Sequence, residues 1–179
     1  QSAIAGQTLL QLGQGYSDLA QPEKAREFYR QYAEAFPDSE QSPQVELALA
    51  RTEEETGHVR EALARYDRWV ERNGTNSLRP KVEFYRALAI ARAGDTTNAL
   101  ALFTNLVAQY PGDALAVQAQ WWVADQYFAS GDWASAERSY IPIFRGTNWP
   151  GNPLAFEATM MAGRCAVGRS SYDDAIDYF

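Results

Sequence analysis

Alanine recurs at Ala25, Ala62, Ala99 and Ala136, a ladder with a period of 37 residues. The next rung, Ala175, follows after 39, so two residues are inserted before it, and Gly146–Pro153 is where they fit. Each rung has a small residue twelve positions before it and an aromatic four after. The sets are Gly13, Ala25, Tyr29; Ala50, Ala62, Tyr66; Ala87, Ala99, Phe103; Ala124, Ala136, Tyr140; and Gly163, Ala175, Phe179. An internal period of this length marks an array of supersecondary units, because one unit cannot bury its apolar face alone and its neighbours must cover it.

The period inside each unit is helical. Leu9, Leu12, Gly13 and Tyr16 fall at i, i+3, i+4 and i+7, and Leu100, Phe103, Leu106 and Val107 do the same later. Each set draws one apolar stripe on a helix. No period-2 alternation marks a strand. Breaks fall on schedule: Gly57, Gly94 and Gly131 each stand five residues before a rung and suit the left-handed residue that ends a helix. Asp95 and Asp132 follow and can cap the next helix through a carboxylate. Pro22 suits a first helical position. Pro37 and Pro111 stop second helices, with Gly74 in that place in unit two and Pro150 two places late in unit four. The spacing predicts first helices over 3–19, 42–56, 78–93, 114–130 and 153–168. Second helices are predicted over 22–36, 59–72, 96–110, 133–145 and from 172 on.

The small residues have a physical reason. Two antiparallel helices approach closely only where neither carries bulk, so Gly13 is expected to face Ala25, Ala50 to face Ala62, and so on through Gly163 and Ala175. The aromatic one turn later then fills the space between its own pair and the next.

Here the residues carry a resemblance. Leu12, Gly13, Tyr16, Ala25, Tyr29 and Pro37, and again Val123, Ala124, Tyr127, Gly131, Ala136 and Tyr140, resemble the tetratricopeptide repeat signature in order and spacing. The resemblance implies an all-α fold, a right-handed superhelical solenoid of antiparallel helix pairs. It places a single array of about five repeats at residues 6–39, 43–76, 80–113, 117–152 and 156–179. The segments Ala33–Ser39 and Val107–Asp113 resemble bacterial envelope members, the outer-membrane assembly lipoprotein and the Tol–Pal coordinator, which implies a periplasmic or cell-envelope location. The last repeat stops one turn past Ala175, so the chain is expected to be part of a longer array or to have that edge covered by another chain. Repeat two departs from the pattern: Glu46 and Glu53 stand where apolar groups are usual, so its first helix is expected either to be rotated or to pair these carboxylates with Arg51 or a neighbouring helix.

In this family the first helices line a concave groove that takes extended or helical protein segments. By position, the groove-facing residues are Gln14, Leu47, Arg51, Phe84, Leu88, Trp121, Asp125, Phe128, Met160 and Arg164. Arg51 and Arg164 suit a carboxylate held bidentately. Trp121, Phe84 and Phe128 suit apolar side chains. In each of the pairs Phe84–Tyr85, Trp121–Trp122 and Met160–Met161, one member is expected in the core. The lysines with which some members clamp a C-terminal carboxylate are absent; Gln14, Leu47 and Arg51 stand in those places.

Composition narrows the partners. A formal charge of −7, from 16 basic and 23 acidic residues, disfavours nucleic acid and anionic membranes, which reward clustered Lys and Arg. No apolar run approaches the roughly 20 residues of a membrane span. The one cysteine, Cys165, forms no disulfide within the chain and no thiolate zinc site, and its neighbours suit a buried inert thiol. Glu54 and His58 lie one helical turn apart, but Gly57 ends the helix between them, so neither a metal nor a catalytic pair is expected. No phosphate loop or nucleophile elbow is present, and no cofactor is implied. Asn73-Gly74-Thr75 matches a glycosylation triplet, a pattern common by chance. The reading is a non-catalytic protein–protein scaffold. Its alternatives are glycan binding on Trp121, Trp122, Trp133 and Trp149, and self-association through the C-terminal edge. Trp149 in the irregular 146–153 loop suits either a surface contact or a plug between repeats four and five.

Overall fold

The structure, a computed structural model, describes residues 3–179. Among the described residues it is helical throughout, with ten helices and no strand. The chain divides into two compact units, residues 1–95 and 96–179.

The first unit holds α1 (Ala3–Asp18), α2 (Pro22–Ala35), α3 (Ser42–Glu55), α4 (Val59–Arg72) and α5 (Arg79–Arg92). Each helix packs on the next, and α3 also touches α5. The second unit holds α6 (Thr96–Gln109), α7 (Ala114–Ala129), α8 (Trp133–Arg145), α9 (Ala155–Gly168) and α10 (Tyr172–Tyr178), again each packed on the next. Both ends of every helix lie within about two residues of the sequence expectation, apart from the last helix, which was left open.

Five helix ends share one local device. Gly57, Gly94 and Gly131 have φ of +80°, +93° and +78°. The equivalent positions in the first and last repeats are Ala20 and Ser170, and they take the same left-handed conformation, with φ of 53° and 60°. In each case the next backbone N–H reaches back to close the helix: Gln21 to Tyr16, His58 to Glu53, Asp95 to Ile90, Asp132 to Tyr127 and Ser171 to Ala166. Asp132 caps α8 by accepting from the Ser135 N–H at 3.1 Å. Asp113 caps α7 in the same way, through the Leu115 N–H at 2.8 Å. As expected from the sequence, α8 ends at Arg145, before Pro150, and it tolerates Pro142 in its final turn.

The small residues are buried. Ala25, Ala50, Ala62, Ala87, Ala99, Ala124 and Ala136 have no exposed surface. A Cβ added at Gly13 would meet the Tyr29 ring at 2.7 Å, and one at Gly163 would meet the Phe179 ring at 2.5 Å. Alanine therefore cannot replace glycine in those two repeats without movement. The repeat aromatics also reach forward. Tyr29 joins Val45 and Leu49 of α3, and Tyr66 joins Val82 and Ala89 of α5. Each large apolar side chain so buried contributes about 1.5–3 kcal/mol.

Glu46 and Glu53 find a partner, and it is not Arg51. Arg65 of α4 donates to Glu46 at 2.6 Å and bidentately to Glu53 at 2.9 and 3.0 Å. Glu53 and Arg65 are mostly covered. Trp149 is buried too, and its indole N–H donates to the Pro111 carbonyl at 2.8 Å. It therefore packs against the turn that enters repeat four, while Asn152 ties the loop down through the Ile143 and Trp149 carbonyls.

Candidate partner-binding face

The first helices carry a recurring polar arrangement, built from the repeat tyrosine upward. In the second unit the Tyr140 hydroxyl, at the inner face of α8, donates to the Asp125 carboxylate on α7. The Trp121 ring meets Tyr140 edge-on at 5.2 Å between centroids. Burial pushes the Tyr140 hydroxyl above its ordinary range, the Asp125 hydrogen bond adds to the shift, and the cation of Arg164 on α9 opposes it. The Arg164 guanidinium lies 5.1 Å from the centroid of Phe128, which is itself edge-on to Trp133 at 5.0 Å. Candidates that the sequence placed on two first helices, Trp121, Asp125, Phe128 and Arg164, are thus joined by ring contacts and one tyrosine. Met160 is exposed on α9, and Met161 beside it touches Arg164 through sulfur.

The first unit repeats the scheme. Tyr29 donates to Gln14 at 3.5 Å, and Gln14 donates to Asp18 at 2.7 Å. Burial and then Asp18 raise the Tyr29 hydroxyl, and Arg51 of the next first helix opposes them. Tyr66 donates to Glu54 at 2.6 Å, and Glu54 is paired across to Arg92 of α5 at 3.0 Å. Burial and then Glu54 hold the Tyr66 hydroxyl far above its usual range. The Arg51 guanidinium lies over the Tyr85 ring of α5, 4.5 Å from its centroid, with Glu55 only at 4.0 Å. A cation on a ring face is held by the ring quadrupole while its donors stay free.

Not every candidate reaches the surface. Leu47 and Phe84 are 5% and 7% exposed and belong to the core. Leu88 is half-buried, as are Trp121, Asp125 and Phe128, while Gln14, Arg51, Met160 and Arg164 are exposed. Of the residue pairs, Phe84 is the core member beside half-buried Tyr85, whereas Trp121 and Trp122 are both half-buried. The four tryptophans of the glycan reading are all engaged: Trp122 packs tilted on Phe103 at 4.6 Å, Trp121 meets Tyr140 and Trp133 meets Phe128 edge-on, and Trp149 is buried.

Residue-by-residue reasoning missed the tyrosine hydroxyls, Tyr85 as the seat of Arg51, and the Glu54–Arg92 pair. One signal was there to read. Fifteen residues before Tyr29 and Tyr140 stand polar Gln14 and Asp125, whereas fifteen before Phe103 stands Leu88. The spacing does not extend to every repeat: fifteen before Tyr66 stands Arg51, and the Tyr66 hydroxyl turns instead to Glu54, twelve before.

Outside this face, little suggests chemistry. Among the described residues no cluster of three or more His, Cys, Asp or Glu could hold a metal, and no helix is long and apolar enough to cross a membrane. His58 caps the start of α4 and shares a hydrogen bond with Thr56 at 3.0 Å. Cys165 is buried, and desolvation followed by the Glu137 charge pushes its thiol up to about 11.

Comparison with known proteins agrees with the architecture. No curated protein is significantly similar to this chain in sequence. Among solved structures, the chain is similar to the MamA protein, with a TM-score of 0.74, 16% identity, and 99% of this chain and 90% of that one covered. It is similar to a tetratricopeptide repeat protein from Parabacteroides merdae, with a TM-score of 0.76 and 16% identity, covering 98% of this chain and 64% of the other. It is also similar to a putative kinesin light chain from Podosopora anserina, with a TM-score of 0.74 and 17% identity, covering 99% and 93%. At these identities the likeness shows the fold. A tetratricopeptide repeat family model matches residues 47–114 and 123–179, and a second matches 7–39. Matched by these repeat models over most of its length, the chain belongs to the tetratricopeptide repeat family.

Proposed function

We propose that this chain is a non-catalytic protein–protein scaffold that holds a peptide or protein segment on its first-helix face, in a bacterial cell-envelope complex. The tetratricopeptide fold generally mediates protein–protein interaction. The observation that carries the finer reading is the pair Arg51 and Arg164. They stand at equivalent positions, are exposed, and lie over aromatic rings. Among the described residues Arg164 forms no ion pair, and Arg51 has only the long contact to Glu55. A planar cation prepositioned on a ring loses little freedom when it takes a carboxylate in two parallel hydrogen bonds. The envelope location rests on the Ala33–Ser39 and Val107–Asp113 segments alone.

The test is selection of a random peptide-display library on the whole chain. Enriched peptides carrying an acidic residue are expected, with roughly tenfold or greater loss of binding to Arg51→Glu or Arg164→Glu, the loss of one charge-assisted pair. Enriched peptides that bind both variants undiminished would refute the reading.

A second reading, self-association, draws on exposed apolar groups of α9 and α10. Phe156, Ile176 and Phe179 are 78%, 73% and 63% exposed. Light scattering across a concentration series checks it; a mass that stays monomeric at every concentration removes it.

A further inference from the structure

A cleft of about 330 Å³ lies between the turn that joins α2 to α3 and the C-terminal half of α4. Its floor carries Pro37, Ser42 and Trp69, and its rim carries Arg68 and Arg72. Neither ring-seated arginine lines it, and it is independent of the reading above.

The other unit shows what such a place accepts. The turn from α6 to α7 carries Pro111, which stands thirteen residues before Ala124 as Pro37 stands thirteen before Ala50. There the chain supplies its own occupant: the two-residue insertion after α8 lets Trp149 fold back, and its indole N–H donates to the Pro111 carbonyl at 2.8 Å. Repeat two has no insertion. Its Trp69 donates elsewhere, to the Pro43 carbonyl at 2.7 Å. The Pro37 carbonyl accepts the Ser42 hydroxyl at 2.6 Å, and a carbonyl oxygen has a second lone pair to offer.

The charges add a second requirement. Arg65, at the base, is spent on Glu46 and Glu53. Arg68 and Arg72 are exposed, and among the described residues neither forms an ion pair. They stand one helical turn apart and can converge on one anion. Asp38 at the mouth is a carboxylate that would repel an anion placed on its own side, so the anion belongs on the α4 side.

We propose that this cleft binds a partner's aromatic side chain, indole-like, with a carboxylate beside it. The ring sits against Trp69, its N–H reaches the Pro37 carbonyl as that of Trp149 reaches Pro111, and the carboxylate bridges Arg68 and Arg72.

N-Acetyl-L-tryptophan carries both groups and serves as the probe, titrated into the isotope-labelled full chain by NMR. Saturable shifts are expected at Ser39, Trp69 and Asn73, which border the cleft. N-Acetyl-L-tryptophanamide and acetate are each expected to bind roughly tenfold weaker, the worth of one charge-assisted contact. Arg68→Ala with Arg72→Ala, two exposed side chains whose loss leaves the fold intact, should reduce the probe to the affinity of its amide. Arg51→Glu with Arg164→Glu should leave it unchanged, which separates this site from the first-helix face. Shifts that do not saturate, shifts centred away from the cleft, equal binding of acid and amide, or an unaffected Arg68→Ala/Arg72→Ala variant would each overturn the proposal.

Discussion

The Tyr66 hydroxyl donates to the Glu54 carboxylate at 2.6 Å across the α3–α4 pair, and Glu54 in turn holds Arg92 of α5 at 3.0 Å. One hydroxyl thus helps fix a carboxylate whose side chain is only 7% exposed. Removing that hydroxyl with Tyr66→Phe keeps the packing and leaves an acceptor short of a donor. The expected cost is about 1–3 kcal/mol, read as a lower urea midpoint at constant slope. An unchanged midpoint would show that water replaces the hydroxyl.

Arg65 neutralises two carboxylates at once, so its removal should be the most damaging charge change in the first unit. Arg65→Ala strands Glu53, whose side chain is 9% exposed, and is expected to cost about 3–5 kcal/mol. Replacing Arg65, Glu46 and Glu53 together with apolar residues should recover most of that loss, because the desolvation penalty goes with the charges. Thermal unfolding of the single and triple variants compares them directly.

The left-handed positions make an opposite prediction. Ala20 and Ser170 adopt φ of 53° and 60°, where a side chain crowds its own carbonyl. Ala20→Gly and Ser170→Gly should each raise stability by about 0.5–1 kcal/mol, and Gly57→Ala or Gly94→Ala should lower it. Differential scanning calorimetry reads both signs.

Glycine is needed for space at Gly13 and Gly168. A Cβ at Gly168 would meet the Trp133 ring at 2.8 Å, as one at Gly13 would meet Tyr29 at 2.7 Å. Either alanine substitution overpacks a ring against a helix and is expected to cost about 1–3 kcal/mol. Chemical denaturation of Gly13→Ala beside Gly15→Ala provides the control, since nothing lies within 4 Å of the latter.

Alkali should unfold the chain by a definite route. Tyr178 is pushed up to about 12 by burial and by Glu137, and the Cys165 thiol up to about 11. A raised pKa means that the folded chain keeps protons the unfolded chain gives up. These groups therefore support the fold fully below their unfolded pKa values, about 8.5 for the thiol and 10 for tyrosine, and the support is lost as pH rises from there toward 11 and 12. The denaturation midpoint should fall across that interval. At about pH 8 Cys165 should react with a thiol reagent only after denaturant is added.

The helices were legible because their signals are local. Glycine at 57, 94 and 131 ends a helix by its own backbone freedom, and a stripe at i, i+3, i+4, i+7 describes one face wherever that helix packs. The equivalents Ala20 and Ser170 were harder to recognise, since neither residue type favours the conformation that the surrounding packing imposes. The candidate face was read less completely. Leu47 and Met160 occupy equivalent places, yet Leu47 is 5% exposed and Met160 37%. What covers a first-helix residue is the neighbouring pair, which residue type does not announce.

The sequence by itself determined the helices, their breaks and which small residues are buried, because turn stereochemistry and side-chain periodicity act within a few residues of one another. Tertiary structure alone decided that Arg65 rather than Arg51 answers Glu46 and Glu53, that Trp149 turns inward to Pro111, and that Arg51 and Arg164 lie over rings without a close carboxylate partner. Those outcomes depend on distances between helices, where several arginines and carboxylates compete, and only the packed geometry brings one pair within reach and leaves another apart.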